Sequence, residues 1–334
     1  MKNHPHRLLA LSGLLLLLAG CANQPWFQDK DKARVRLGSE VVLEPAVNLI
    51  APVLPYLLLA DLAYVDQKKM PTKEQVEPDY DDFFKAYGND ARVVAKAWMA
   101  KWQYVAGYEV ANPVTDHQAF WLTRNDPLPG LGLHIWRRRG DTCSEAVIAF
   151  RGTDGASLPD WMSNLRWFLR LFNFYDQYDQ VADGMQVLFN THRELRDCAN
   201  VTTVGHSLGG GLAQKAAYVH GKVRRVFAFD PSFVTGYYDI ERGQREANQT
   251  GLKIERIYEH GEVLAYLRLP LRFVYPPSTV NPQIREMRFN LTKGNIITQH
   301  KLNGLAVEML LLSKEKGVLP PDGPLQDYPS PRRP

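Results

Sequence analysis

The stretch Val201-Thr-Thr-Val-Gly-His-Ser-Leu-Gly-Gly-Gly211 constrains the fold of this chain more than any other. A β-branched run leads into Gly205-His-Ser-Leu-Gly209, and a Gly- and Ala-rich segment, Leu208–His220, follows with helical character. Strand, sharp turn and helix in that order predict a nucleophile elbow with Ser207 at its apex. The turn forces the serine into strained dihedrals, so the flanking glycines must let strand and helix approach where a Cβ would collide. The competing reading, a Gly-rich turn with an idle serine, accounts less well for the strand and helix on either side.

A serine hydroxyl is a weak nucleophile at neutral pH and needs a base, an acid to orient that base, and donors for the oxyanion. Upstream, Ala146-Val-Ile-Ala-Phe150 reads as a buried parallel strand ending in Arg151-Gly-Thr-Asp154. Where an elbow of this kind works, one oxyanion N–H comes from the residue after the serine and another from the loop after the upstream strand. Those residues are Leu208 and Thr153. Downstream, Val223–Phe229 and Leu252–Tyr258 read as the next two strands, and each ends near a candidate acid, Asp230 and Glu262 respectively. In the order serine, acid, histidine, the histidine that follows Glu262 is His300, just before an apolar helix at Leu302–Leu312. His206 reads as the variable elbow residue, His220 as a helix end, and His260 precedes Glu262.

Ala149-Phe-Arg-Gly-Thr153, Asp160-Trp-Met-Ser-Asn-Leu165, Val181-Ala-Asp-Gly184 and the Gly-His-Ser-Leu-Gly-Gly elbow together resemble the class 3, fungal-type lipases of the α/β-hydrolase fold. The resemblance covers about 140–305. It implies an α/β chain with a mostly parallel central sheet and helices on both faces. It also places the triad acid in the segment matching Glu259-His-Gly-Glu-Val-Leu264, hence on Glu262. Two departures keep Asp230 open as the acid: Glu stands where the family usually has Asp, and Ala228-Phe-Asp-Pro-Ser-Phe233 replaces its Gly-x-Pro-Arg-Val-Gly stretch.

Leu158–Phe174, including Trp161, Leu165, Trp167 and Phe168, carries a heavy apolar load. The resemblance puts a lid here, an amphipathic helix that hides the serine in water and opens on lipid. The alternative is a helix packed permanently on the sheet. A lid would make activity rise once substrate exceeds its solubility, and a core helix would not.

At the amino terminus, Lys2 and Arg7 precede the apolar run Leu8–Leu18, and Leu18-Ala-Gly-Cys21 closes it. The thirteen residues Leu8–Gly20 are short for a membrane span and read as a signal peptide. Its end resembles a bacterial lipobox, which implies lipidation of Cys21 as the first mature residue. Ala22 at the next position implies an outer-membrane address. On that reading Asn248-Gln-Thr250 and Asn290-Leu-Thr292 are chance matches to a glycosylation motif.

Loss of residues 1–20 removes two basic side chains and no acids, lowering the formal net charge from +4 to about +2. Nothing in that balance suggests a nucleic-acid partner. Arg137-Arg-Arg139 reads as a solvated hairpin end. The remaining organisation is 21–44 as anchor and tether, 45–318 as one α/β domain, and 319–334 as a disordered Pro-rich tail. Within the domain, Pro45–Val65 reads as an apolar helix broken near Pro52 and Pro55. Asn89–Val110 reads as an amphipathic helix, and Gln118–Arg124 with Leu131–Arg138 as paired strands. Cys143 and Cys198 each stand three residues before strands expected to be adjacent and parallel, which predicts a disulfide at the sheet edge away from Ser207.

The expectation is a serine carboxylester hydrolase, lipase or phospholipase, held to a membrane by a lipid anchor and acting on a lipid or ester substrate. It needs no metal or organic cofactor. An acyltransferase or thioesterase with the same triad, and a catalytically inactive lipid-binding envelope protein, remain open.

Overall fold

The computed structural model describes residues 29–65, 79–109, 131–152, 177–262, 264, 276–295 and 298–324. The strands are β1 (Lys32–Leu37), β2 (Glu40–Pro45), β3 (Trp102–Glu109), β4 (Gly132–Arg138), β5 (Glu145–Phe150), β6 (Asn200–His206), β7 (Val223–Phe229), β8 (Lys253–Glu259) and β9 (Gln283–Phe289). They form one sheet in the order β2-β1-β9-β8-β7-β6-β5-β4-β3. The five strands β5 to β9 run parallel, while β4 and β3 at one side and β1 and β2 at the other are antiparallel.

Continuous apolar runs mark the strands covered on both faces, and β5 is buried along its whole length. One face packs Val147, Val204, Phe227 and Met287 against helices Ala46–Leu62 and Leu302–Lys316. The other packs Ile148, Val201, Val226 and Ile254 against helices Gln177–Thr191 and Leu208–Val219. Each such side chain contributes roughly 1.5–3 kcal/mol on burial. Among the described residues, no helix is long and apolar enough to cross a membrane.

Several sequence expectations need correction. Helix Ala46–Leu62 runs unbroken through Pro52 and Pro55. It is buried on nearly every side, and that packing outweighs the two missing backbone donors. The amphipathic helix stops at Met99 and β3 begins at Trp102, with Trp102 and Tyr104 packed in the core on one side of the sheet and Ala106, beyond a bulge, in the core on the other. β4 pairs with β3 and β5, and Gln118–Arg124, the strand expected to pair with it, lies outside the described residues. The tether ends earlier than 44, since β1 and β2 extend the sheet beyond β9.

Of the three arginines expected at a solvated hairpin end, Arg139 is exposed and Arg137 half-buried, but Arg138 is not solvated. Arg138 is buried, donates to Glu145 Oε2 at 3.2 Å and lies 4.5 Å over the Trp102 ring. Arg137 donates to Gln103 and Arg139 to the Trp102 carbonyl. The start of the tail is held as well, by Arg138 donating to the Pro321 carbonyl and by a Lys101–Asp322 ion pair. Residues 325–334 lie outside the described set.

Cys143 and Cys198 form the expected disulfide, with Cα atoms 4.5 Å apart. The register pairs Glu145 with Asn200, so the bridge closes the edge where β5 and β6 begin. Ser207 follows the opposite end of β6.

Candidate active site

Ser207 occupies the turn between β6 and helix Leu208–Val219 with φ 55° and ψ −121°, a left-handed conformation that costs a non-glycine residue energy. The neighbouring contacts hold it there. The Ser207 amide donates to the Phe229 carbonyl at 2.9 Å, and its carbonyl accepts from the Ser232 amide at 2.9 Å. A Cβ on Gly205 would lie 2.2 Å from the Gly209 carbonyl oxygen, and one on Gly209 would lie 2.3 Å from the Phe150 carbonyl oxygen. Strand, turn and helix fit together only because both are glycine.

His300 lies in a short turn at 298–300, just before helix Leu302–Lys316. Its Nε2 is 3.2 Å from Ser207 Oγ, and its Nδ1 is 2.8 Å from Glu262 Oε2. Glu262 is fully buried three residues beyond β8, and the same Oε2 accepts from the Leu264 amide at 2.7 Å. The three side chains thus form a hydrogen-bonded run from a carboxylate through an imidazole to a hydroxyl.

Asp230 is close by but differently engaged. It follows β7 with φ 38°, is fully buried, and its Oδ1 accepts from the Glu259 amide at 3.0 Å. Burial first, and then the negative charge of Asp230, pushes the Glu259 carboxyl up to about 8. Ligand-type atoms of His206, Asp230 and His300 lie within 4.8 Å of one another, the spacing a metal ion would need. Both ring nitrogens of each histidine already sit 2.8–3.2 Å from other protein atoms, and Asp230 Oδ1 accepts from the Glu259 amide, so all three groups are engaged with the protein.

Leu208 begins the helix whose amino end points at Ser207, where backbone N–H groups and the helix dipole favour negative charge. Thr153, the other expected oxyanion donor, lies outside the described residues, as do the lid residues Trp161, Leu165, Trp167 and Phe168, and Cys21. Gly152 is described and lies against the elbow: a Cβ there would meet the His206 carbonyl at 2.5 Å and the Tyr64 hydroxyl at a similar distance.

Other histidines stand apart from this group. Burial holds His134 down at about 3, and burial with Arg288 nearby holds His260 at about 4. His220 stacks on Phe189 with centroids 3.7 Å apart. His206 is different from its sequence reading. Its Nδ1 is 2.8 Å from the Tyr64 hydroxyl and its Nε2 is 2.8 Å from the His300 carbonyl. Tyr64, two residues past the apolar helix, carried no motif that would have drawn attention to it.

A family profile described as phospholipase-like, the Tle-like phospholipase domain, matches residues 56–268, well over half of the chain. The chain belongs to the Tle-like phospholipase family. The match runs from the helix that leads to Tyr64, through the Ser207 elbow, to just past Glu262. No curated protein matches the chain. Among solved structures, it is similar to the Rhizomucor miehei lipase propeptide complex at 13% identity and a TM-score of 0.38, over 71% of this chain and 64% of that one. It is also similar to the Pyrococcus furiosus esterase PF2001, at 11% identity and a TM-score of 0.32, over 65% of this chain and 87% of that one. The chain therefore spans somewhat less than two thirds of the Rhizomucor lipase chain. The mostly parallel central sheet with helices on both faces is the α/β architecture expected from the sequence. The family matched is the Tle-like one, where the sequence resembles class 3 lipases.

Proposed function

We propose that this Tle-like domain is a serine hydrolase that cleaves acyl esters of lipids, phospholipids foremost, through Ser207, His300 and Glu262. The observation that carries this reading is the run of contacts at 3.2 and 2.8 Å from Ser207 Oγ through His300 to buried Glu262. His300 Nε2 takes the Ser207 proton as Oγ attacks the ester carbonyl carbon. Glu262 holds the Nδ1–H and stabilises the imidazolium. The amides of Leu208 and Thr153 receive the oxyanion. Collapse of the tetrahedral intermediate breaks the ester C–O bond. His300 returns the proton to the departing alcohol, and water then hydrolyses the acyl-enzyme by the same route in reverse. No step requires a metal or cofactor.

The family description supports a phospholipid substrate. The amino-terminal pattern supports a lipid anchor at Cys21 and a location in the cell envelope, at the outer membrane. The test is labelling with a serine-directed phosphonate followed by product analysis on phospholipid vesicles. Wild type should be labelled and release fatty acid, and Ser207→Ala and His300→Ala, each still folded, should lose nearly all turnover. Near-wild-type hydrolysis by either variant would refute the mechanism. Acyl transfer to an added alcohol in place of fatty-acid release would favour the acyltransferase reading.

A further inference from the structure

His300 is carried by a turn outside the sheet, yet its ring must meet a serine fixed at the end of β6. The Glu262 contact orients the ring. A second contact reaches the backbone of the same residue: His206 Nε2 lies 2.8 Å from the His300 carbonyl oxygen. A carbonyl only accepts, so Nε2 carries the proton. In the neutral ring Nδ1 is then the acceptor, and the Tyr64 hydroxyl at 2.8 Å donates to it.

His206 is itself buried, ends β6 and precedes Ser207 directly. Its ring centroid lies 4.8 Å from that of His300 and 5.9 Å from that of Tyr64. Tyr64 sits just beyond the carboxyl end of helix Ala46–Leu62, where its amide donates to the Asp61 carbonyl. The hydrogen-bonded run therefore links helix, sheet and turn, with its middle member adjacent in sequence to the nucleophile.

We propose that His206 is a positioning residue, strapping the turn that carries His300 to β6 and, through Tyr64, to the helix behind it, so that base and nucleophile stay in register. This rests on the triad reading above. The strap never touches the reacting atoms. Its effect is on the fraction of time that His300 Nε2 faces Ser207 Oγ, so it acts on kcat and leaves KM alone. Misplacement of a catalytic group by about 1 Å costs on the order of a hundredfold.

The test uses the full chain with His206→Phe, which keeps a flat ring but removes the donor, and His206→Gln, whose amide N–H reaches a similar position. On a short soluble ester, His206→Phe should lower kcat about tenfold to a hundredfold at unchanged KM, and His206→Gln should recover most of it. Hydrogen exchange over residues 298–301 should quicken in His206→Phe and return towards wild type in His206→Gln, whether or not the protein is active. A folded His206→Phe with wild-type kcat and exchange would overturn the strap, as would equal losses in both variants or a change confined to KM. If wild type fails to react with the phosphonate, the triad reading falls, and the exchange measurement still decides the strap.

Discussion

Exchange of the buried carboxylate beside His300 is the sharpest perturbation of the site. In Glu262→Gln the amide oxygen can occupy the place of Oε2 and keep both contacts, from His300 Nδ1 at 2.8 Å and from the Leu264 amide at 2.7 Å. What it cannot supply is charge. With imidazolium and carboxylate charge centres about 4 Å apart and an effective dielectric near 20, the lost attraction is about 4 kcal/mol, or roughly a thousandfold in kcat. Asp230→Asn should cost far less, about tenfold or below. Asp230 is anchored to the Glu259 amide, and its charge is one of the causes that keep Glu259 neutral. Once that charge is gone, Glu259 ionises more readily and replaces part of the negative potential. The assay is steady-state hydrolysis of a soluble ester by both variants, with circular dichroism to verify folding. A loss below tenfold in Glu262→Gln, or a larger loss in Asp230→Asn, would refute the reasoning and transfer the acid role to Asp230.

Three further outcomes are expected. Cys143→Ser should lower stability by about 4 kcal/mol, the chain-entropy value for a bridge spanning 55 residues, read as a fall in the urea midpoint; two reactive thiols in denatured, unreduced wild type would contradict the bridge. Glu259 binds its proton more tightly folded, at about 8 against 4.5, so its cost to stability is absent at low pH, grows between pH 4.5 and 8 and levels off above. At ~1.4 kcal/mol per pH unit that is a few kcal/mol, and Glu259→Gln should flatten the fall in urea midpoint from pH 5 to 9; an unchanged slope would show that Glu259 is not its source. Cys21→Ser should move the protein from the membrane fraction to the soluble one, and unchanged fractionation would remove the lipid anchor from the proposal.

The sequence alone identified the elbow, because Gly205, Ser207 and Gly209 meet a local steric demand that can be read without knowing what packs around them. Chain order led to His300, the family resemblance put the acid on Glu262 with Asp230 still open, and the expected pairing of two strands named the cysteine pair. Local pattern failed where packing or long-range pairing overrides it. Burial on nearly all sides carries a helix through Pro52 and Pro55. Pairing with β9 draws β1 and β2 into the sheet. A buried carboxylate on the neighbouring strand turns Arg138 inward from a run that looks solvated. The link from Tyr64 through His206 to His300 was out of reach for the same reason. Its members are 142 and 94 residues apart, and hydrogen bonds between such distant positions follow from how helix, sheet and turn come together, which no spacing in the sequence records.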